Sequence, residues 1–236
     1  ALLAALAARD GARGDALRLL NEAITESPLS VRSGAITVAL LRADGRKAEA
    51  LAQLERWRAL DPTNSFLRYE ATRLGETDPA LWEHLAADPE RILELVADYL
   101  RFDLVDDALD LLTRTYPSGP AVVAEPGTPR PEAYPLIAYY RGYARSLRHE
   151  SPDADYAAAS VMPTTYVFPN RPESIVVLTD AVARNPRDAT AHFLLGSLHL
   201  SSGNTDAAIK SWELAASLNP AIPTLHRNLG LTLLER

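Results

Sequence analysis

Apolar residues recur along this chain with helical spacing, and proline cuts the helical runs at a regular interval. Ala16-Leu17-Arg18-Leu19-Leu20-Asn21-Glu22-Ala23 closes at Pro28. Ala50-Leu51-Ala52-Gln53-Leu54-Glu55-Arg56-Trp57 closes at Pro62. Ala208-Ile209-Lys210-Ser211-Trp212-Glu213-Leu214-Ala215 closes at Pro220, and Pro186 precedes Pro220 by the same interval that separates Pro28 from Pro62. In each block an alanine is followed by a large apolar residue at +4 and a proline at +12. The pattern predicts helices joined in pairs, because proline lacks the N–H that would continue a helix and pushes the residue before it out of helical conformation.

The repeat resembles the tetratricopeptide repeat, a pair of antiparallel helices that recurs at this same interval. The likeness rests on the block 189–220. Leu195-Gly196 stands where the first helix carries Leu-Gly, Ala208 is the small residue of the second helix, Trp212 takes the large aromatic position, Ala215 the next small one, and Pro220 ends the unit. A further first helix starts near Pro223, with Leu229-Gly230 one full repeat beyond Leu195-Gly196. The resemblance implies an all-α right-handed solenoid of antiparallel helix pairs, in which stacking is obligatory because one pair cannot bury its apolar faces alone. Gly196 is expected to face Ala208 at the closest approach of its pair, with Trp212 and Leu195 filling the wedge between neighbouring pairs.

The rest of the chain follows the pattern less closely. Residues 31–62 form a full unit in which Val38 replaces the small residue and Trp57 takes a small position. Residues 65–88 hold two short helices broken at Asp78-Pro79, and 89–120 form a unit around Tyr99, Ala108 and Leu112. Residues 121–131 carry Pro126, Gly127, Pro129 and Pro131 without periodic apolar positions and read as a loop. A helix over 132–149 follows, with Leu136, Tyr140, Tyr143 and Leu147 on one face and Gly142 at its Leu-Gly position. A short helix over 153–160, an irregular loop at 162–172 and a helix over 173–185 complete the middle. The organisation expected is an N-terminal set of repeats over 1–120, the first truncated and one degenerate. A C-terminal set over 121–236 follows, the two forming one continuous solenoid. The opening Ala1-Leu2-Leu3-Ala4-Ala5-Leu6-Ala7-Ala8 lacks a preceding basic segment and reads as half of a truncated helix rather than a signal peptide. A chain that opens in this way looks like a piece of a longer protein.

Composition changes this picture little. Of 236 residues 47% are apolar and 23% charged, as in ordinary folded domains. The net charge of −7 argues against a nucleic-acid grip, which needs a positive field. The chain has no cysteine, which excludes disulfides, thiolate metal sites and cysteine nucleophiles. No apolar run approaches the roughly 20 residues that span a bilayer, so no membrane is expected. The compartment stays open, the cytoplasm only slightly favoured.

No nucleophile elbow, phosphate-binding glycine loop or paired-histidine zinc motif is present, and no enzyme activity, cofactor or metal is expected. The carboxylates, including Asp103, Asp106, Asp107 and Asp110 around one helix start, read as solvated groups suited to the helix dipole. His192, His199 and His226 lie on neighbouring first helices, His226 repeating the position of His192, and packing outweighs metal binding there. Arg141, Arg145 and Arg148 form a basic stripe, either a solvated face or an anchor for a carboxylate, phosphate or sugar. The loop Phe168-Pro169-Asn170-Arg171-Pro172-Glu173 and the segment His226-Arg227-Asn228-Leu229 carry exposed polar groups in irregular surroundings, which are often functional.

Tyr-Val-Phe-Pro-Asn-Arg-Pro-Glu at 166–173, the helices of Gly196 and Trp212, and His-Arg-Asn-Leu at 226–229 also resemble one family of large bacterial proteins. Its members join a galactose-mutarotase-like β-sandwich of unknown function to a long run of tetratricopeptide repeats. Pro172 departs from the leucine expected there. The resemblance implies a carbohydrate-related parent protein. The function expected is that of a scaffold whose concave face binds a partner protein or another domain of the parent chain, through Thr190, Phe193, Ser197, Leu200, Thr224, Arg227 and Asn228. The alternatives are carbohydrate binding in a cleft of Tyr140, Arg141, Asn170 and Arg171, or the completion of an active site in a glycan-related enzyme.

Overall fold

The computed structural model describes residues 2–234. Among them the chain is all-α, with fourteen helices, one 3-10 turn and no strand. No helix among them is long and apolar enough to cross a membrane. Two compact units are present. The first comprises Ala1–Ala86, Glu90–Leu111 and Tyr116–Val123, and holds α1 (Leu2–Arg9), α2 (Arg13–Glu26), α3 (Val31–Ala43), α4 (Lys47–Leu60), α5 (Ser65–Arg73) and α6 (Pro79–Ala86). It also takes α7 (Pro89–Arg101) and α8 (Val105–Thr113), apart from Pro89 and the last two residues of α8. The second comprises Ala87–Pro89, Leu112–Thr115 and Ala124–Arg236, and holds the 3-10 turn Pro131–Ala133, α9 (Pro135–Leu147), α10 (Asp153–Ser160), α11 (Glu173–Arg184), α12 (Ala189–Ser201), α13 (Thr205–Leu218) and α14 (Leu225–Leu234).

Two kinds of helix stop divide the work. The first helices of pairs end in a left-handed residue whose successor donates back to the helix, a turn that satisfies the last carbonyls. Gly11, Gly45 and Gly203 hold φ of 77°, 75° and 76° after α1, α3 and α12. The following amides reach back to Ala7, Leu41 and His199 at 2.9, 2.9 and 2.8 Å. Asp103 and His149 make the same turn after α7 and α9 at φ 59° and 60°, without glycine's freedom. The second helices stop differently. Ser27, Asp61, Asn185 and Asn219 are extended at the ends of α2, α4, α11 and α13, and each precedes a proline. The prolines thus set the turns between units, as the sequence pattern predicts.

Helix starts also follow side-chain chemistry. Asn64 caps α5 by accepting from the amides of Phe66 and Leu67, both at 3.1 Å, and Asp188 caps α12 through Ala191 at 2.9 Å. The helix expected over 132–149 begins later. Pro135 is its first residue, and Tyr134 before it is held extended at φ −95°, ψ 110°, so 131–133 can form only a separate 3-10 turn.

A glycine of one helix against an aromatic ring of the next closes three of the pairs. A Cβ built on Gly34 would lie 2.0 Å from the Trp57 indole; on Gly142, 2.4 Å from the Tyr156 ring; on Gly196, 2.6 Å from the Trp212 indole. The indole Nε1 of Trp212 donates to the Phe193 carbonyl at 3.0 Å, and that of Trp57 to Gln53 Oε1 at 3.1 Å. Two expectations need correction here. Trp212, expected in the wedge between neighbouring pairs, lies against Gly196 of its own pair. Trp57 is no misfit in a small position, for it is fully buried on Gly34.

The carboxylates of the first unit are not all solvated either. Glu70 and Asp107 are buried. Arg42 meets Glu70 through Nε and Nη2 at 2.7 and 3.0 Å and Asp107 at 3.0 Å; Tyr99 donates to Glu70 at 2.6 Å. Arg73 reaches Asp107 at 3.0 Å, and Tyr69 donates to Asp110 at 2.8 Å. Burial works against the Arg42 charge, but Glu70 and Asp107 together raise its pKa. The groups come from four helices of the unit, so the network ties α3, α5, α7 and α8 together.

Candidate binding surface

All of the residues nominated from sequence lie in the second unit, and the structure sorts them by burial. Tyr140 is 0% exposed, with its hydroxyl 2.8 Å from the Ser174 Oγ. Burial pushes that hydroxyl's pKa up. Arg141 spends its guanidinium on Asp155, at 2.5 Å, and on the Leu112 carbonyl, at 3.3 Å. The cleft of Tyr140, Arg141, Asn170 and Arg171 therefore does not form, because its aromatic ring is core and its first cation is already neutralised. Thr190 and Phe193, expected on an outward face, are buried as well. Helix α12 packs against α10, α11 and α13; the Thr190 hydroxyl donates to the Ser160 carbonyl at 2.9 Å and the Phe193 carbonyl accepts from Trp212. Leu200, Thr224 and Arg227 are exposed, and Ser197 and Asn228 half-buried.

The basic stripe is balanced from within. Arg145 joins Arg141 on the buried Asp155 at 3.3 Å, and Arg148 reaches Glu150 at 3.3 Å. Two of the three histidines hold turns. Nε2 of His192 hydrogen-bonds the Pro186 carbonyl at 3.1 Å, and Nε2 of His226 the Pro220 carbonyl at 2.9 Å. The same clamp thus recurs one repeat later, each imidazole fastening its helix to the proline turn before it.

The segment joining α10 to α11 behaves unlike a floppy loop. Thr164, Val167 and Pro169 point inward and are buried, while Tyr166, Phe168 and Asn170 alternate with them on the outside. The Val167 amide donates to the Thr164 carbonyl at 3.2 Å, and the Phe168 backbone is hydrogen-bonded to the Tyr134 hydroxyl. The Tyr166 ring lies against Gly127, where a Cβ would be 3.0 Å away, so the turn at Gly127 supports it. Tyr166 is held at φ 60°, a costly conformation for an aromatic residue, which persists only where surroundings enforce it. Tyr166 is nevertheless 60% exposed and Phe168 72%. Beside them Arg171, whose charge burial disfavours while Asp88 and Glu173 favour it, donates to Asn170 Oδ1 at 3.1 Å. The alternation of burial over 166–170 leaves no polar-apolar alternation in the sequence, where Tyr166 to Pro169 are all apolar, so the sequence alone did not mark this edge.

Residues 170–224 match the family model described as the tetratricopeptide repeat. No curated protein matches the chain. Among solved structures the chain is similar to a thermophilic TPR protein of Thermus thermophilus, at 18% identity over 98% of this chain and 96% of that one, with a TM-score of 0.29. It is similar to MamA from Desulfovibrio magneticus at 16% identity, over 94% and 93%, with a TM-score of 0.26. It is also similar to YrrB, described as a TPR protein with an unusual peptide-binding site, at 15% identity, over 90% and 97%, with a TM-score of 0.27. The stretch that the family model matches holds α12 and α13, with Gly196 and Trp212 closing their pair.

Proposed function

We propose that this chain is a protein-interaction scaffold, docking a partner protein or another domain of a longer parent chain. The observation that carries it is the presentation of Tyr166 and Phe168. Two large rings stand in solvent on a segment whose intervening side chains are buried, so they are held out rather than loosely exposed. Aromatic residues of this kind are the usual anchors of protein interfaces. Burying one fully is worth about 1.5–3 kcal/mol. Asn170 and Arg171 next to them supply a polar rim.

Selection of peptides from a displayed random library on the purified chain tests the proposal. Enriched peptides are expected to bind the chain and to lose that binding in the Tyr166→Ala, Phe168→Ala double variant. Failure to enrich any sequence, or binding indifferent to the double variant, would count against it.

A further inference from the structure

Tyr166, Phe168 and Asn170 are exposed on one side of their segment, while Thr164, Val167 and Pro169 are buried on the other. The main chain between them is already spent. The Val167 amide donates to the Thr164 carbonyl, and the Phe168 backbone is bonded to the Tyr134 hydroxyl. This edge therefore offers a partner two rings and side-chain donors, and little of the main-chain pairing that strand addition needs. Arg171 donates to Asn170 Oδ1 at 3.1 Å. A guanidinium can only donate, so the carboxamide turns its oxygen to Arg171 and leaves its NH2 to donate to a ligand. The Tyr166 hydroxyl is a further donor, on an exposed ring. The chain already lays one proline turn on that ring. The Thr128 amide donates to the Glu125 carbonyl at 3.0 Å, closing a turn with Pro126 second and Gly127 third, the glycine at φ 88°. This is the type II arrangement, and Gly127 lies against the Tyr166 ring. Beyond the turn Arg130, between Pro129 and Pro131, holds φ −70° and ψ 153°, the polyproline II conformation.

We infer that the edge formed by Tyr166, Phe168 and Asn170 takes a proline-rich segment of a partner protein in polyproline II conformation. The inference rests on the scaffold function proposed for this loop and narrows it to one class of ligand. A polyproline II segment makes no internal hydrogen bonds, so its carbonyls are all ready to accept. Its prolines carry no N–H that a donor-bearing edge would leave unpaired. The Asn170 NH2 and the Tyr166 hydroxyl suit those carbonyls, and the two aromatic faces suit the pyrrolidine rings, as in other aromatic-lined grooves that read such segments. The ligand is stiff before it binds, so little ordering entropy opposes docking. The Pro126-Gly127 turn occupies part of the Tyr166 ring, which is still 60% exposed to a partner.

The probe is a fluorescein-labelled decaproline peptide, titrated with the intact chain and followed by fluorescence anisotropy, with a glycine–serine peptide of equal length as the control. Saturable binding is expected for decaproline and none for the control. The Tyr166→Ala, Phe168→Ala double variant should weaken it by about tenfold or more, a change of about one pKd unit. Asn170→Ala should weaken it by about threefold, the loss of one hydrogen bond. All three side chains are exposed, so these variants keep their fold, which circular dichroism checks. No binding at submillimolar protein, or binding indifferent to the double variant, overturns the inference. If the displayed library enriches proline-free peptides that the double variant loses, while decaproline stays unbound, the scaffold function stands and the proline-rich partner falls. Self-association of the chain alone that the double variant abolishes also overturns the inference, since a second copy would then be the occupant.

Discussion

Gly34 and Trp57 share one space: any side chain at position 34 would overlap the indole, whose nearest atom lies 2.0 Å from a Cβ built there. The ring is fully buried on the far helix of the pair and cannot swing into solvent without opening it. Gly34→Ala should therefore lower stability by about 1–3 kcal/mol, the usual cost of overpacking a filled core, as measured by urea unfolding.

Gly230→Ala should behave oppositely. It sits in a helix with open space at its Cβ, so only the backbone matters, and alanine is favoured over glycine by about 0.5–1 kcal/mol in a helix interior. A raised unfolding midpoint is expected for this variant and a lowered one for Gly34→Ala. Equal effects would show that the notch at Gly34 is not what fixes its pair.

The buried charges of the first unit must be removed together or not at all. Glu70→Ala leaves the half-buried Arg42 with Asp107 as its one remaining carboxylate in this network, and breaking a pair whose carboxylate is buried in this way costs about 3–5 kcal/mol. Combining it with Arg42→Met should recover part of that loss, because the stranded guanidinium is gone. A double-mutant cycle on the urea midpoint measures the coupling.

Asp103 and His149 close helices in a conformation that disfavours side chains, at φ 59° and 60°. Asp103→Gly and His149→Gly should each raise stability by up to about 1 kcal/mol, the relief of left-handed strain less the added freedom of the unfolded chain. Thermal unfolding of the single variants checks this.

Asp78 carries a pH dependence. Hydrogen bonds from Arg68 hold its pKa below the usual carboxylate value, against burial and with help from the Leu81 amide. A folded-state pKa below the unfolded one gives stability that is complete above the unfolded value, about 4, and is lost as pH falls through the folded one. Asp78→Asn should flatten that acid limb while changing stability near neutrality in the direction of loss. An unaltered acid limb would remove Asp78 from the account.

The repeat was legible in the chain because its signals are local. Proline and its extended neighbour act within two residues, so Pro28, Pro62, Pro186 and Pro220 mark their turns whatever packs above them. Alignment by the repeat interval nonetheless matched Leu54 with Trp212 and Val38 with Gly196, and so missed the slot of the α3–α4 pair. Gly34 is one turn nearer the start of its helix than Val38, and Trp57 about one turn nearer the end of its own than Leu54. In an antiparallel pair those two shifts run in the same direction, so the contact slides along the axis with its chemistry intact. The charges of Glu70 and Asp107 left no local trace either, because Arg42, their shared partner, comes from another helix.

The amino-acid sequence by itself determined that this protein is all helix, where its turns fall, and that its helices come in pairs, since backbone hydrogen bonding and proline's missing donor need only near neighbours. Tertiary packing alone decided which glycine meets which ring, that Tyr140, Thr190 and Phe193 are core, and that Tyr166 and Phe168 stand open. Those outcomes depend on residues brought together from distant parts of the chain, and a side chain's exposure is set by what is absent from its surroundings as much as by what it is.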